Sequence, residues 1–227
     1  MKNLFSPNKY DAWYETPLGS LCDRLEKDAI FSLFKPKGFV LDMGCGTGNY
    51  TFEIEKRGGK AIGIDVSIDM ILSAKNKAAA KGMKSFFVVG NAEKMPFKNN
   101  SFDGVLEVAV LCFTNHIDKV IRETYRILKP EGMIAIGELN RFSYWAFLRR
   151  LKSLFKKSIY KNARFYSIKA LCKILGNAEF KDLRWSSCLH FPPINSKWFL
   201  KGCKFFENIS KLLFPKNGAF FVISGRK

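Results

Sequence analysis

Short apolar runs alternate with amphipathic segments along the first 140 residues of the chain. The runs are brief and bounded by glycine or polar residues, which predicts strands of a buried parallel sheet. The predicted strands are Phe39–Met43, Ala61–Asp65, Ser85–Gly90, Phe102–Val110 and Met133–Glu138. Other segments carry apolar residues at helical spacing. The helices predicted from them are Leu21–Phe34, Thr47–Gly58, Ile68–Lys81 and Asp118–Leu128.

The last 87 residues depart from this alternation, because long basic and aromatic stretches separate two more apolar runs. Residues 141–176 and Ser196–Leu213 have helical character, whereas Phe180–Leu189 and Ala219–Ser224 are typical of strands. The pattern predicts an α/β, Rossmann-like doubly wound, seven-stranded and mostly parallel sheet with helices on both faces. We expect a single domain over residues 1–227, in three parts. These are an N-terminal helical lid (1–37), a central core (38–140) and a basic helical cap that completes the sheet (141–227).

The composition is that of a globular protein. Of 227 residues, 47% are hydrophobic and 26% are charged, which excludes a disordered or collagen-like chain. The sequence contains no run of about 18 apolar residues, so no transmembrane helix is predicted. The first residues do not resemble a secretory signal. Six cysteines without a C-x-x-C pair and only two histidines predict free thiols and no metal site. We therefore expect a cytoplasmic protein.

The net charge of +18 at pH 7 is concentrated in the tail. Residues 1–140 hold 19 Lys and Arg against 17 Asp and Glu, whereas residues 141–227 hold 19 against three, a net charge of +16. A helix after Arg141 would separate large apolar side chains from the cations. That arrangement fits an anionic lipid surface, with the protein peripheral at the inner membrane face, or a solvated helix on the core. Nucleic acid is disfavoured as a partner, since no RNA-recognition motif occurs.

Three glycines, Gly44, Gly46 and Gly48, occupy the turn between the first predicted strand and the next helix. Glycine lets a ligand approach the backbone closely, and the first strand of a doubly wound sheet delivers this turn to the ligand crevice. The spacing is G-x-G-x-G, preceded by Asp42, rather than the G-x-G-x-x-G of dinucleotide sites. A nearby carboxylate disfavours a pyrophosphate and suits a positively charged ligand such as S-adenosylmethionine. Asp65 ends the second strand, where a carboxylate can bind both ribose hydroxyls.

Together with three later motifs, this turn carries a family resemblance. The four motifs lie at 40–50, 63–70, 90–97 with 101–103, and 126–132. The run from Val40 to Gly137 resembles a class I S-adenosylmethionine-dependent methyltransferase. It is most similar to the group that includes the ubiquinone/menaquinone C-methyltransferases (methyltransferase type 11). The resemblance implies S-adenosyl-L-methionine as cofactor, S-adenosyl-L-homocysteine as product and a small-molecule acceptor.

The resemblance also implies which residues surround the cofactor. They are the glycine turn with an acid beneath it, the ribose acid, the residues beside the adenine, an acid facing the acceptor and a lid tyrosine. These residues are Asp42, Gly44, Cys45, Gly46, Gly48, Asp65, Val66, Met70, Asn91, Ala92, Glu107 and Tyr14. The family usually has Asp where this chain has Asn91, which keeps a donor and an acceptor but changes the local charge.

Candidates for catalysis are fewer. An acceptor that must lose a proton needs a base, and Glu107, His116 and His190 are the candidates. Each also has a structural interpretation: an acid at an exposed strand end, a loop residue before a helix, or a packed histidine. A thiol or arsenite acceptor would need no base.

The acceptor is predicted to contact Tyr10, Trp13 and Arg141, although the two aromatic residues would also suit packing of the N-terminal helix. Aromatic residues in the lid and tail favour an apolar, aromatic or lipid-linked acceptor. The main alternative is a protein that binds S-adenosylmethionine on the same fold without turnover.

Overall fold

The computed structural model describes residues 6–155 and 163–227. The strands are Phe39–Met43 (β1), Lys60–Asp65 (β2), Phe86–Val89 (β3), Phe102–Val108 (β4), Leu128–Leu139 (β5), Lys181–Cys188 (β6) and Phe220–Arg226 (β7). The helices are Pro7–Glu15 (α1), Pro17–Leu33 (α2), Asn49–Lys56 (α3), Ile68–Ala80 (α4), Ile117–Ile127 (α5), Tyr144–Phe155 (α6), Ile168–Asn177 (α7) and Lys197–Leu213 (α8).

The strands form one seven-stranded sheet in the order β3-β2-β1-β4-β5-β7-β6. β1 to β5 pair in parallel, whereas β7 runs antiparallel to both β5 and β6. The strand order reverses between β1 and β4, so the loops after these strands diverge and open a crevice at the carboxyl edge. The predicted α/β, seven-stranded and mostly parallel fold is confirmed.

Both faces of the sheet are covered, which explains why its strands are apolar runs rather than alternating ones. One buried cluster contains Val40, Leu106 and Val222 against Ile30 and Phe34 of the α2 segment. The other packs the opposite face, and its members include Leu41, Met43, Val105, Ile134, Ile136, Leu171 and Ile223. Because β7 and α7 belong to these clusters, the tail is part of the same core. The division at residues 37 and 140 stays a prediction.

Two element boundaries are displaced from the predicted ones by four residues or more. β5 begins at Leu128 rather than Met133, because the Lys129–Gly132 segment lies inside the strand as a bulge. The pairing register shifts there between Phe102 and Gly104 of β4, and Glu131 has a φ of +63°. Helix α2 begins at Pro17 rather than Leu21, because the Thr16 hydroxyl caps it by accepting from the Gly19 amide at 3.0 Å.

Candidate functional site

A cavity of about 1230 Å³ opens at the carboxyl edge of the sheet. Its floor is formed by residues that directly follow four parallel strands, and its roof by α1, α2, α6 and the segment after β6. The floor residues are Gly44, Gly46, Asp65, Val66, Gly90, Asn91, Val108, Ala109 and Val110. The cavity therefore lies at the point where the strand order reverses, which is the usual ligand position in open α/β sheets.

Gly44 and Gly46 form the part of the floor after β1, and both need to be glycine. Their φ angles are +73° and +52°, in the left-handed region that side chains disfavour. A Cβ at Gly44 would lie 2.1 Å from Cγ2 of Val110. The turn is held in place because the Gly44 amide donates to the Ile64 carbonyl at 2.7 Å and the Gly46 amide donates to Asp65 Oδ2 at 3.0 Å.

Asp65 joins the glycine turn to the loop after β2. Its Oδ1 accepts from the Ser67 amide at 2.8 Å, while its Oδ2 accepts from Gly46. A carboxylate oxygen has two lone pairs, so each can still accept a hydroxyl from the cavity side. Val66, Met70, Asn91 and Ala92 line the same end of the cavity, as expected for residues beside an adenine.

Four residues predicted at the cofactor do not line the cavity, and one of them, Glu107, lies below its floor. Cys45 and Gly48 do not line the cavity. Asp42 is 2% exposed, and the Thr51 hydroxyl donates to it at 2.5 Å. Burial raises the pKa of Asp42 to about 7, so this carboxyl supports the turn from beneath and carries only part of a charge at neutral pH.

α1 forms a lid across the glycine turn. Tyr10, Trp13 and Tyr14 all line the cavity, and the Tyr14 hydroxyl donates to the Tyr10 hydroxyl at 3.0 Å. The Tyr10 ring lies 3.6 Å from the position of a Cβ on Gly46. Burial raises the pKa of both tyrosines above the usual value, so both remain neutral phenols.

A polar latch, formed by Asp11, Thr47 and Lys77, fastens this lid to the core. Asp11 Oδ1 accepts from the Thr47 hydroxyl at 2.7 Å and from Lys77 Nζ at 2.8 Å. Lys77 Nζ also lies 2.9 Å from the Thr47 hydroxyl oxygen. The latch therefore connects α1, the glycine turn and α4 through one shared set of contacts.

The structure separates the three candidate bases. His116, the exposed residue before α5, lines the cavity. His190 does not, and its ring is enclosed: Nδ1 lies 3.1 Å from Glu207 Oε1, and Nε2 lies 3.3 Å from Ser187 Oγ. This placement favours the packed-histidine interpretation of His190, because both ring nitrogens already have protein partners.

Glu107 lies directly below the cavity floor and is fully buried, rather than at an exposed strand end. Its Oε1 accepts from the amides of Val110 and Leu111 at 2.5 and 3.0 Å. Its neighbour Glu138 accepts from the Cys112 amide at 3.0 Å. Burial and then the charge of Glu138 raise the pKa of Glu107 well above its usual range, and burial raises that of Glu138 to about 7. Burial therefore favours the protonated form of these two carboxyls, and their bonds to backbone amides hold the loop after β4.

One polar wall residue was missed from sequence. Glu26 of α2 lines the cavity and lies 3.3 Å from the Tyr50 hydroxyl, which donates to it. Burial raises the pKa of Glu26 to about 8. A signal was present, because Glu26 lies four residues from both Cys22 and Ile30 and thus shares their buried face.

The remainder of the cavity wall is mostly apolar and comes largely from the tail. Its residues include Leu18, Leu139, Trp145, Leu148, Leu189 and Phe220. Arg141, predicted to contact the acceptor, lies instead on the wall of a second, smaller pocket. Among the residues with described positions, no group of three His, Cys, Asp or Glu is arranged to hold a metal ion.

The residues at the floor fit the predicted cofactor. The glycine turn leaves space that a side chain would fill, Asp65 presents a carboxylate beside it, and Val66 and Met70 offer apolar contacts. Tyr10 and Tyr14 close this end, so a ligand here would be enclosed between the turn and the lid.

Comparison with known protein sequences agrees with this geometry. Residues 41–136 match the family described as a methyltransferase domain. The chain is 30% identical to a demethylmenaquinone methyltransferase of Symbiobacterium thermophilum, over 76% of this chain and 75% of that protein. It is 32% identical to an uncharacterized protein of Mycobacterium tuberculosis, over 81% of this chain but only 61% of the relative, so it spans about three fifths of that protein.

Solved structures show the same fold. A SAM-dependent methyltransferase of Thermotoga maritima, described as a possible histamine N-methyltransferase, is 27% identical with a TM-score of 0.78, and the match covers 100% of both chains. The [4+2]-cyclase SpnF is 20% identical with a TM-score of 0.67, over 92% of this chain and 82% of that one, and shares the fold. The chain belongs to the S-adenosyl-L-methionine-dependent methyltransferases, as its glycine turn and the motifs that follow predict.

Proposed function

We propose that the protein transfers a methyl group from S-adenosyl-L-methionine to a small acceptor with an apolar or aromatic body. The observation that carries this proposal is one continuous cavity that contains both the glycine turn with Asp65 and an apolar wall. Its volume of about 1230 Å³ exceeds the roughly 300–1,000 Å³ of ordinary ligand pockets. It therefore has space for a cofactor and an acceptor together.

The acceptor end is shaped by fixed apolar side chains. Trp145 donates from Nε1 to the Phe191 carbonyl at 2.6 Å, which holds its ring against the cavity. Leu139, Leu148 and Phe220 lie around it. A pocket of this kind binds an acceptor through apolar contact and orients it with a few polar groups.

The chain contributes alignment, enclosure and proton handling to the reaction. When bound, the cofactor supplies a methyl group on a positively charged sulfur, which the acceptor takes by in-line displacement. The α1 lid and the apolar wall exclude water and limit the directions from which an acceptor can approach. Glu26 and His116 are the wall residues that can take a proton from the acceptor. Because the pKa of Glu26 is about 8, its basic form increases as the pH rises through that value.

Calorimetric titration with S-adenosyl-L-homocysteine tests the cofactor assignment. We expect the native protein to bind it and to ignore NADH. Asp65→Ala should weaken binding by about tenfold to a hundredfold, the scale of hydrogen bonds lost to a charged group. Asp28→Ala removes the same charge from an exposed position of α2 and should leave affinity unchanged. Equal affinities for all three proteins would remove Asp65 from the ribose site.

We also propose that the basic tail rests on anionic lipid. No helix among the described residues has the length and apolar character needed to cross a bilayer. α8 and the residue after it nevertheless expose large apolar side chains: Trp198 is 87% exposed and Leu212 82%, followed by Leu213 and Phe214. These residues belong to the tail, 141–227, whose net charge is +16. Exposed apolar side chains together with an excess of cations are typical of an interfacial helix.

Vesicle co-sedimentation tests whether the basic tail binds anionic lipid. The protein should pellet with vesicles that contain phosphatidylglycerol and stay in solution with phosphatidylcholine alone. Replacing both Trp198 and Leu212 by serine should weaken the binding by about tenfold or more, since each buries apolar surface in the interface. The control replaces Ile68 and Leu72 of α4, which are also exposed, and should bind normally. Pelleting that ignores lipid charge would contradict the proposal.

A further inference from the structure

A second pocket of about 580 Å³ lies beside the start of α6 and of α7. Four arginines line it: Arg141, Arg149, Arg150 and Arg164. Of the described residues on its wall, none is acidic. Within the described ranges, no acidic side chain lies at ion-pair distance from Arg141 or Arg164. The pocket therefore concentrates positive charge that the fold does not neutralise at these two positions.

Backbone hydrogen bonds fix the positions of these two arginines on the wall of the pocket. The Arg141 amide donates to the Tyr166 carbonyl at 2.9 Å, and the Arg164 amide donates to the Cys112 carbonyl at 2.8 Å. Asn140 and Tyr166 form a parallel bridge between the same two segments. Arg141 is thus anchored to the segment before α7, and Arg164 to the loop after β4.

The amino terminus of α7 contributes to the same wall. Ser167 and Ala170 line the pocket, and the Ser167 hydroxyl caps the helix by accepting from the Ala170 amide at 3.2 Å. The first turn of this ten-residue helix adds a partial positive charge to that of the guanidinium groups. The pocket consequently combines two independent features that attract an oxyanion.

Arg149 connects this pocket to the larger cavity. It lies on the wall of both, and its charge also lowers the pKa of Glu26 on the far side. A ligand whose body occupies the apolar end of the cavity could therefore extend a charged group past Arg149 among the arginines.

We propose that this arginine pocket binds a phosphate or diphosphate group carried by the acceptor. The inference rests on the proposed function and narrows its substrate class to phosphorylated molecules with an apolar body. Guanidinium groups bind phosphate oxygens in a bidentate fork. A phosphomonoester carries about −1.5 to −2 charges, which suits four arginines better than the single charge of a carboxylate.

Titration with inorganic pyrophosphate tests the pocket without any turnover. The native protein should bind it, and Arg141→Gln combined with Arg164→Gln should weaken binding by about tenfold or more, as expected for lost charge-assisted contacts. The matched control is Lys181→Gln with Arg184→Gln, which removes two exposed charges from β6 of the same tail. It should change the affinity by less than about twofold, through screened long-range attraction only.

A parallel titration with monomeric short-chain phosphatidic acid distinguishes a lipid headgroup from a soluble phosphate. Binding of either ligand that depends on Arg141 and Arg164 supports the proposal, and a preference for one identifies the source. Equal losses in both double variants, or no binding of either ligand, would overturn it. S-adenosyl-L-homocysteine titrations of the same samples separate the two claims. If that ligand binds and both phosphates fail, only the arginine pocket is wrong.

Discussion

Gly46→Val should abolish measurable binding of S-adenosyl-L-homocysteine while the protein remains folded. The φ of Gly46 is +52°, where a β-branched residue is strained by about 1–3 kcal/mol. A Cβ would already lie 3.6 Å from the Tyr10 ring, and the two methyl groups of valine would occupy the space between the turn and the lid. Calorimetry should show no heat of binding.

Gly58→Val provides the matched control for this result. Gly58 also has a positive φ, +92°, but no atom lies within 4 Å of the position of its Cβ. Strain should lower the thermal stability of both variants by a similar amount, whereas only the Gly46 variant should lose the ligand. Normal binding by a folded Gly46→Val protein would show that the ligand does not pass over the glycine turn.

Glu107→Ala should destabilise the protein far more than Glu107→Gln. Alanine leaves the amides of Val110 and Leu111 without their acceptor. The expected loss is about 3 kcal/mol or more of unfolding free energy. Glutamine keeps a carbonyl for the amides and offers an N–H to Glu138, so it should cost less than about 1 kcal/mol at neutral pH. Urea unfolding measures both.

The pH dependence of the same unfolding free energy gives a second readout. The pKa values of Glu107 and Glu138 are raised in the folded protein, so the folded state binds protons more tightly than the unfolded one. The contribution of this pair to stability is therefore greatest at low pH and decreases as the pH rises from the unfolded pKa of about 4.3 through the folded values. Because glutamine mimics the protonated acid, Glu107→Gln should remove the Glu107 contribution to this decrease, which begins above the unfolded pKa of about 4.3.

A Glu→Gln substitution at an exposed position serves as the control, because it shows how much of the change in pH dependence comes from burial of Glu107. The Glu131 side chain is 81% exposed, and Glu131→Gln should keep the native pH dependence. Asp42 and Glu26, whose pKa values are also raised, should leave some slope in every variant. Identical slopes for Glu107→Gln and the native protein would mean that folding does not raise the pKa of Glu107.

The order and class of the elements were predictable because their signals are local. β1 and β2 are continuous apolar runs, and the glycine turn and Asp65 follow them directly in the sequence. The Lys129–Gly132 segment misled the prediction of β5, since a proline and a glycine are usual turn residues. Pairing with Phe102 of β4 keeps this segment in the sheet as a bulge.

The acceptor end of the cavity was not predictable in the same way. Periodicity indicates that a residue is buried but not what it is buried against. Glu107 and His190 were interpreted as candidate bases because the sequence pattern does not reveal their partners. Those partners, Glu138 and Glu207, lie 31 and 17 positions away along the chain. Trp145 and Leu148 reach the cavity only because the tail folds back across the sheet.

The nine-residue helix that covers the glycine turn has no fully buried side chain, and its attachment to the core relies on the Asp11–Lys77 ion pair. Both partners are about one quarter exposed, and such pairs contribute only about 0–1 kcal/mol. Opening this helix is therefore a local fluctuation that leaves both buried clusters intact. The rate at which spent cofactor is exchanged should then increase with ionic strength, since salt weakens the ion pair.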